Sequence, residues 1–177
     1  MLIGGGNIVY CSSSRSCYYS TTQKFWFLNG LVRGKEGLIY VPSAISDDIK
    51  VMKFESYGNL REVDSIKLGM PVDNLAVDAQ GDIYAAGLPK GLEILGTLSD
   101  PFGKTAPSSI WRIQKTEKGY ETKKVLEDRD KKVLSGVTTA RHDVKTGRLF
   151  LGGEYQFFDL RWLLRERGMS CKLTDLT

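Results

Sequence analysis

Three oxygen-bearing side chains stand out for where they fall. Asn29 precedes Gly37 by eight residues, and Asp73 and Asn74 precede Gly81 by eight and seven. In both places polar residues open a run that is otherwise apolar and strand-like: Leu31-Val32 after the first, Leu75-Ala76-Val77 after the second. Carboxylate and amide oxygens without cysteine or histidine beside them suit a hard cation, and Ca²⁺ takes about six to eight such oxygens. Three are too few, so the rest of a shell would come from water or from other strands. The competing reading is structural. Asn and Asp also start strands through Asx turns, in which the side chain bonds its own backbone two residues on. Spacing alone leaves both readings open.

The remaining reactive side chains carry less. The single histidine, His142, sits in Arg141-His142-Asp143 close to a turn, and a candidate base must first lie within reach of the reacting proton. Ser12-Ser13-Ser14 and Ser108-Ser109 lack the GxSxG setting of an activated serine. Gly4-Gly5-Gly6 has no strand before it and no Lys-Ser/Thr after it, so it reads as a glycine-rich turn rather than a phosphate loop. Phe25-Trp26-Phe27 runs into Asn29 and reads as core or channel wall. Cys11, Cys17 and Cys171 contain no CxxC pair, which argues against a structural zinc site. Cys11 and Cys17 are compatible with a small local disulfide or with free thiols, and the compartment stays open.

The elements that must position the polar openers repeat. Asn29 to Val32, a turn ending at Gly37, and Leu38 to Val41 form one unit. Asn74 to Asp78, Gly81, and Asp82 to Ala85 form the second; Val137 to Arg141, Gly147, and Arg148 to Leu151 form the third. Each reads as a β-hairpin closed by a glycine that supplies positive φ. Further strand patterns follow the first two at Ile49–Phe54 and Leu60–Ile66, then at Ser109–Gln114 and Tyr120–Leu126. Four short strands per roughly 40–50 residues is the periodicity of a propeller blade. The expected class is therefore all-β, a partial β-propeller of about three to four four-stranded antiparallel blades. A β-sandwich is the competing all-β architecture. Leu88 to Pro107, rich in Gly, Pro and Ser, reads as an inserted loop. In a propeller, residues entering the innermost strand point toward the central axis, so Asn29, Asp73 and Asn74 would converge there.

Composition narrows the classes. The 177 residues fit one ordinary domain, and 41% hydrophobic with 26% charged residues is the profile of a soluble globular chain. The net charge of +4 is interleaved with acids, as in the run from Lys123 to Lys132, which reads as a solvated face. No basic stripe with interleaved aromatics points to nucleic acid. No segment approaches the roughly 18 apolar residues of a membrane span. Met1 to Gly6 lacks the features of a signal peptide.

The order Phe27-Leu28-Asn29-Gly30-Leu31, then Gly37-Leu38-Ile39-Tyr40-Val41, then Pro71-Val72-Asp73-Asn74-Leu75-Ala76-Val77-Asp78 resembles the paraoxonase/arylesterase family. Gly81 to Gly91, Ser108 to Gln114, Val133 to Thr139 and Gly147 to Gly153 continue the match in order, closest in flavour to fungal members. The resemblance covers about residues 7 to 153 and implies the later blades of a six-bladed propeller with two calcium ions in its tunnel. It implies hydrolysis of aryl esters and lactones, with one ion polarising the carbonyl as a Lewis acid. It makes Asn29, Asp73 and Asn74 metal ligands and weighs for calcium over a plain Asx turn.

The departures matter as much. The acidic ligand, further Asn ligand and histidine pair of the family have no counterpart here, His142 does not match that pair, and Leu88 stands where some members carry a histidine. The resemblance thus implies a small-molecule ester or lactone substrate for a full propeller, and little or no activity for this chain alone. Residues 1–153 are expected to form the partial propeller and 154–177 a divergent tail. Within that tail, apolar Phe157, Leu160 and Leu164 among charges read as a short amphipathic helix, packed on a blade edge or contacting a partner or membrane. Exposed edges make pairing with another chain plausible. The rival functions are a non-catalytic propeller-like binding or scaffold protein and a gluconolactonase-type sugar-lactone hydrolase.

Overall fold

Residues that alternate apolar with polar can bury one face of a strand, and residues apolar at every position bury both. The chain uses both kinds. A computed structural model describes residues 5–11, 13, 17–19, 25–55, 59–100, 103–153 and 162–163. The first strands are short: β1 (Gly5–Gly6) pairs with β4 (Phe25–Trp26), and β2 (Val9–Cys11) with β3 (Cys17–Tyr19). Cys11 lies directly opposite Cys17 in that hairpin and is disulfide-bonded to it, which decides between the two readings of this pair.

Three larger sheets follow. The first has the order β5-β6-β7-β8, built from β5 (Val32–Arg33), β6 (Ile39–Val41), β7 (Asp48–Phe54) and β8 (Leu60–Lys67). The second places β9 (Val72–Val77), β10 (Ile83–Gly87), β11 (Ser108–Thr116) and β12 (Gly119–Asp128) in sequence order. The third contains β13 (Val137–Asp143), β14 (Arg148–Gly153) and β15 (Trp162–Leu163). Every pairing is antiparallel between neighbours in sequence, the up-and-down wiring of propeller blades. The expected all-β, propeller-like fold is what the chain adopts. The closing glycines Gly37, Gly81 and Gly147 have φ of +73°, +88° and +65°, as the hairpin grammar requires.

Sheets stack face to face, and apolar clusters lie between them. Ile39, Val41, Met52 and Leu60 of the first sheet meet Ile8 and Phe25. Its other face, with Leu38, Tyr40, Ile49, Val51 and Ile66, packs on Leu75, Ile83, Ala85 and Ile113 of the second. The opposite face of the second sheet, Tyr84, Ala86 and Ile110, packs on Val137, Ala140, Leu149 and Leu151 of the third. Consecutive residues of β10 therefore serve different interfaces, which is why Ile83 to Gly87 is buried at every position.

Polar groups fix the approach to β13. Asp128 Oδ2 accepts backbone N–H bonds from Val133 at 2.8 Å and Leu134 at 2.7 Å. Ser135 Oγ accepts from Ala106 N, and Ser108 Oγ accepts from Val137 N, both at 2.9 Å. Burial opposes the charge on Asp128, but the N–H groups of Leu134, Val133, Lys132 and Lys131 outweigh it and hold the carboxyl below its ordinary 3.8.

Two regions differ from the sequence reading. Leu88 to Pro107 is not a plain loop, because Gly91–Ser99 forms helix α1. Pro89, Pro101 and Pro107 punctuate its ends, and Leu92-Glu93-Ile94-Leu95 between them favours helix. Glu93 pairs with Lys90 at 2.9 Å and with Lys131 at 2.7 Å, tying the helix to the segment before β13. The amphipathic helix expected around Phe157 to Leu164 falls mostly outside the described residues. Within it, Trp162–Leu163 form β15, a strand rather than a helix, paired with Leu149 and Arg148 of β14. The unpaired edge of β14 offers backbone groups that only a strand can satisfy there.

Ile49, with none of its surface exposed, is expected to cost about 2–5 kcal/mol when truncated to Ala. Val63→Ala, at a position 39% exposed, should cost under about 0.5 kcal/mol. Urea unfolding of the two variants checks this. For Asp128 the folded value is depressed, so its stabilisation is full well above the ordinary value of 3.8 and is lost as pH falls from there through the lower folded value. Unfolding midpoints between about pH 6 and about pH 2 should accordingly fall less steeply in Asp128→Asn than in the unaltered chain.

Candidate metal centre

The innermost strands begin irregularly, all at the same place. Leu75 pairs with Ala85 and Val72 with Gly87, so three steps along β9 are matched by two along β10. The surplus residue falls at Asp73-Asn74, opposite Ala86. In the third sheet Val137 pairs with Gly153 and Thr139 with Gly152, leaving Thr138 unpaired. In the first, the isolated bridge Leu28–Ser43 and the pair Val32–Tyr40 differ by four steps against three, which puts the extra residue among Asn29, Gly30 and Leu31. A bulge of this kind re-aims side chains that a regular strand would send to opposite faces. Here it turns Asp73 and Asn74 toward each other: Asn74 Nδ2 donates to Asp73 Oδ1 at 3.0 Å.

Register fixes the equivalences. Leu28, Val72 and Val137 correspond, then Asn29, Asp73 and Thr138, then Gly30, Asn74 and Thr139. The sequence reading aligned Asn29 with Asp73 correctly. It overlooked Thr138 because the third turn, Val144 to Gly147, is one residue longer than Ala79 to Gly81.

Asn74 bridges three sheets. Its Nδ2 donates to the carbonyl oxygen of Thr138 at 2.9 Å as well as to Asp73. A carbonyl can only accept, so the NH₂ must face Thr138 and Oδ1 must take the other side. That side is Gly30. A methyl placed on Gly30 would overlap Asn74 Oδ1 and stand 3.1 Å from its Cγ. The glycine is the cradle in which the amide lies. Asn29, beside it, is partly buried and donates its backbone N–H to Pro42 O at 3.4 Å. Asn29 is thereby brought next to the Asp73–Asn74 pair through Gly30.

The donor set is one carboxylate with amide oxygens. Among the described residues no three His, Cys, Asp or Glu side chains gather to hold a metal ion, so any shell here would rest on amide and carbonyl oxygens with a single carboxylate. Oxygen ligands at strand bulges, one of them clamped by a carbonyl, fit a hard cation. His142 stands elsewhere. It lies in β13 beyond Thr138 and bonds Asp78, five residues after Asp73 and about 16 Å along a strand by rise per residue. Leu88, the other departure noted in the sequence, is buried and donates its N–H to Pro71 O at 2.8 Å.

A family model described as Arylesterase matches residues 2–159 of the chain. No curated protein matches it.

Gly30→Ala is expected to expel the Asn74 amide from its cradle and break the bond to Thr138, at a cost of about 1–3 kcal/mol of stability for the overpacking. Accelerated hydrogen exchange of the Asn74 side-chain NH₂ signals, beyond the general acceleration that the lost stability brings to the strand amides, is the readout.

Proposed function

The chain belongs to the arylesterase family, and from that premise we propose that its axial bulges hold part of a catalytic calcium site of an aryl-ester and lactone hydrolase. Asn29, Asp73 and Asn74 are the proposed protein ligands. The observation that carries the reading is the clamped Asn74 amide: Thr138 O takes its NH₂, and Gly30 leaves room for its oxygen. When bound, such an ion supplies Lewis-acid polarisation of an ester carbonyl and stabilises the oxyanion.

The chain's own residues position rather than transfer protons. Asp73 supplies the single negative charge, Asn74 is locked by two hydrogen bonds, and the double-sided packing of β9 and β10 keeps both at fixed height. Three side-chain oxygens fill at most half of a shell of about six to eight, and water or further strands would complete it. With one carboxylate, calcium affinity is expected at the weak end, about 10⁻⁴–10⁻³ M. The chain's one histidine is at the other end of the strands, so its imidazole does not reach a carbonyl at this site. That distance favours, as a second reading, a metal-binding module that is not catalytic alone.

Calorimetric titration with calcium is expected to show one weak binding event that Asp73→Ala abolishes. Hydrolysis of phenyl acetate by the same preparation should be slight. Calcium-dependent turnover lost in Asp73→Ala would replace the second reading with full enzymatic competence, and no calcium binding at all would remove the first.

A further inference from the structure

The turn ends of β9 and β13 enclose a cleft of about 410 Å³, well away from the axial bulges. Its wall contains a charge pair that the hydrolase reading does not use. His142 Nδ1 meets Asp78 Oδ2 at 2.8 Å, with the Asp78 side chain fully buried and that of His142 12% exposed. Asp78 Oδ1 is separately occupied by the N–H groups of Gln80 at 2.9 Å and Asp82 at 3.0 Å. The Tyr84 ring lies 4.9 Å from the imidazole and closes its back. A buried carboxylate that takes Nδ1 fixes the ring and leaves Nε2 as the nitrogen for a ligand.

The rest of the lining has two characters. Val77, Val144 and Phe150 are apolar, and Phe150 is 50% exposed. Arg141 and Lys145 are the cations. Asp143 is the second acid, and its oxygens are engaged by the Thr146 hydroxyl at 2.6 Å and the Lys145 N–H at 3.0 Å. Among the described residues Arg141 forms no ion pair, whereas half-buried Arg112 is committed to Asp82 at 2.8 Å. The cleft thus offers one guanidinium for a planar anion, one imidazole nitrogen, and an apolar shelf. Its volume lies in the range of small-molecule sites.

We propose that this cleft is a second binding site, for a small carboxylate with an aromatic or branched apolar body. The carboxylate sits on the Arg141 guanidinium, whose paired N–H donors match a planar two-oxygen group, beside the imidazole of the next residue in the strand. Lys145 adds charge at the mouth. The apolar body lies on Phe150, the cross-strand neighbour of Arg141. The site is independent of the axial bulges, and it is formed by one residue pair joining two neighbouring sheets.

Sodium benzoate titrated into the full chain is the test, followed through the imidazole ring resonances. A single histidine makes that spectrum a report on one site. A saturable one-to-one shift is expected, weakened at least tenfold in Arg141→Ala and unaltered in Asp73→Ala. Phe150→Ser should reduce benzoate to the affinity of acetate. Arg141 and Phe150 are exposed, so both variants should keep the unfolding midpoint of the parent. A non-saturating response, saturation untouched by Arg141→Ala, or inorganic phosphate binding as tightly as benzoate would each overturn the assignment.

Discussion

A strand that is buried on both faces has nowhere along its length to carry a polar functional group. This constraint shapes the whole molecule. In β10 the alternation of Ile83 and Ala85 toward one neighbour with Tyr84 and Ala86 toward the other uses every side chain for packing. Chemistry is displaced to the ends of the strands, where the backbone leaves the sheet. At one end the bulges present Asn29, Asp73, Asn74 and Thr138. At the other, the turns present Asp78, Asp82, His142 and Arg112. Both sets of polar residues are tied across sheet boundaries, so the same bonds that orient them also hold the sheets in register.

The two ends solve the problem of buried polarity differently. At the turns, charges are matched: Asp82 is bound by Arg112 and by Gln114 at 3.1 Å, and Asp78 by His142. Burial with two carboxylates nearby pushes the Tyr84 hydroxyl up to about 12, against the pull of Arg112, so it stays neutral across the physiological range. At the bulges the one carboxylate, Asp73, accepts from the Asn74 amide, which is itself held by the Thr138 carbonyl.

Much of this was legible in the sequence. The hairpins, their closing glycines and the paired outer strands follow from apolar alternation and positive-φ punctuation, both local properties. The polar openers were legible too, because Asp-Asn ahead of Leu-Ala-Val is locally out of place. What the chain's order of residues conceals is register. The bulge at Asp73-Asn74 and its match at Thr138 depend on which residue faces which across the sheet, and a turn longer by one residue shifts the count. Thr138 contributes a backbone carbonyl, which any residue could supply, so its type carries no signal. The Asp78–His142 pair is hidden for a related reason: its members are 64 residues apart and meet only when two sheets stack. Helix α1 was masked by the glycines and prolines that bound it, since punctuation at both ends reads the same whether the interior is loop or helix.

The stacking also sets how the molecule comes apart. Each apolar cluster joins one sheet to the next, so cohesion passes between nearest neighbours in the manner of a one-dimensional array. The sheet of β9 to β12 has a larger sheet on either side, whereas the first sheet, also buried on both faces, has only Ile8 and Phe25 from the start of the chain on its outer face. Local opening therefore reaches its amides last, and the lifetimes of their protons rank the sheets from the inside outward. Asp73 and Asn74 sit on the slowest-opening unit of the chain, and the geometry they present persists through the fluctuations that loosen its surroundings.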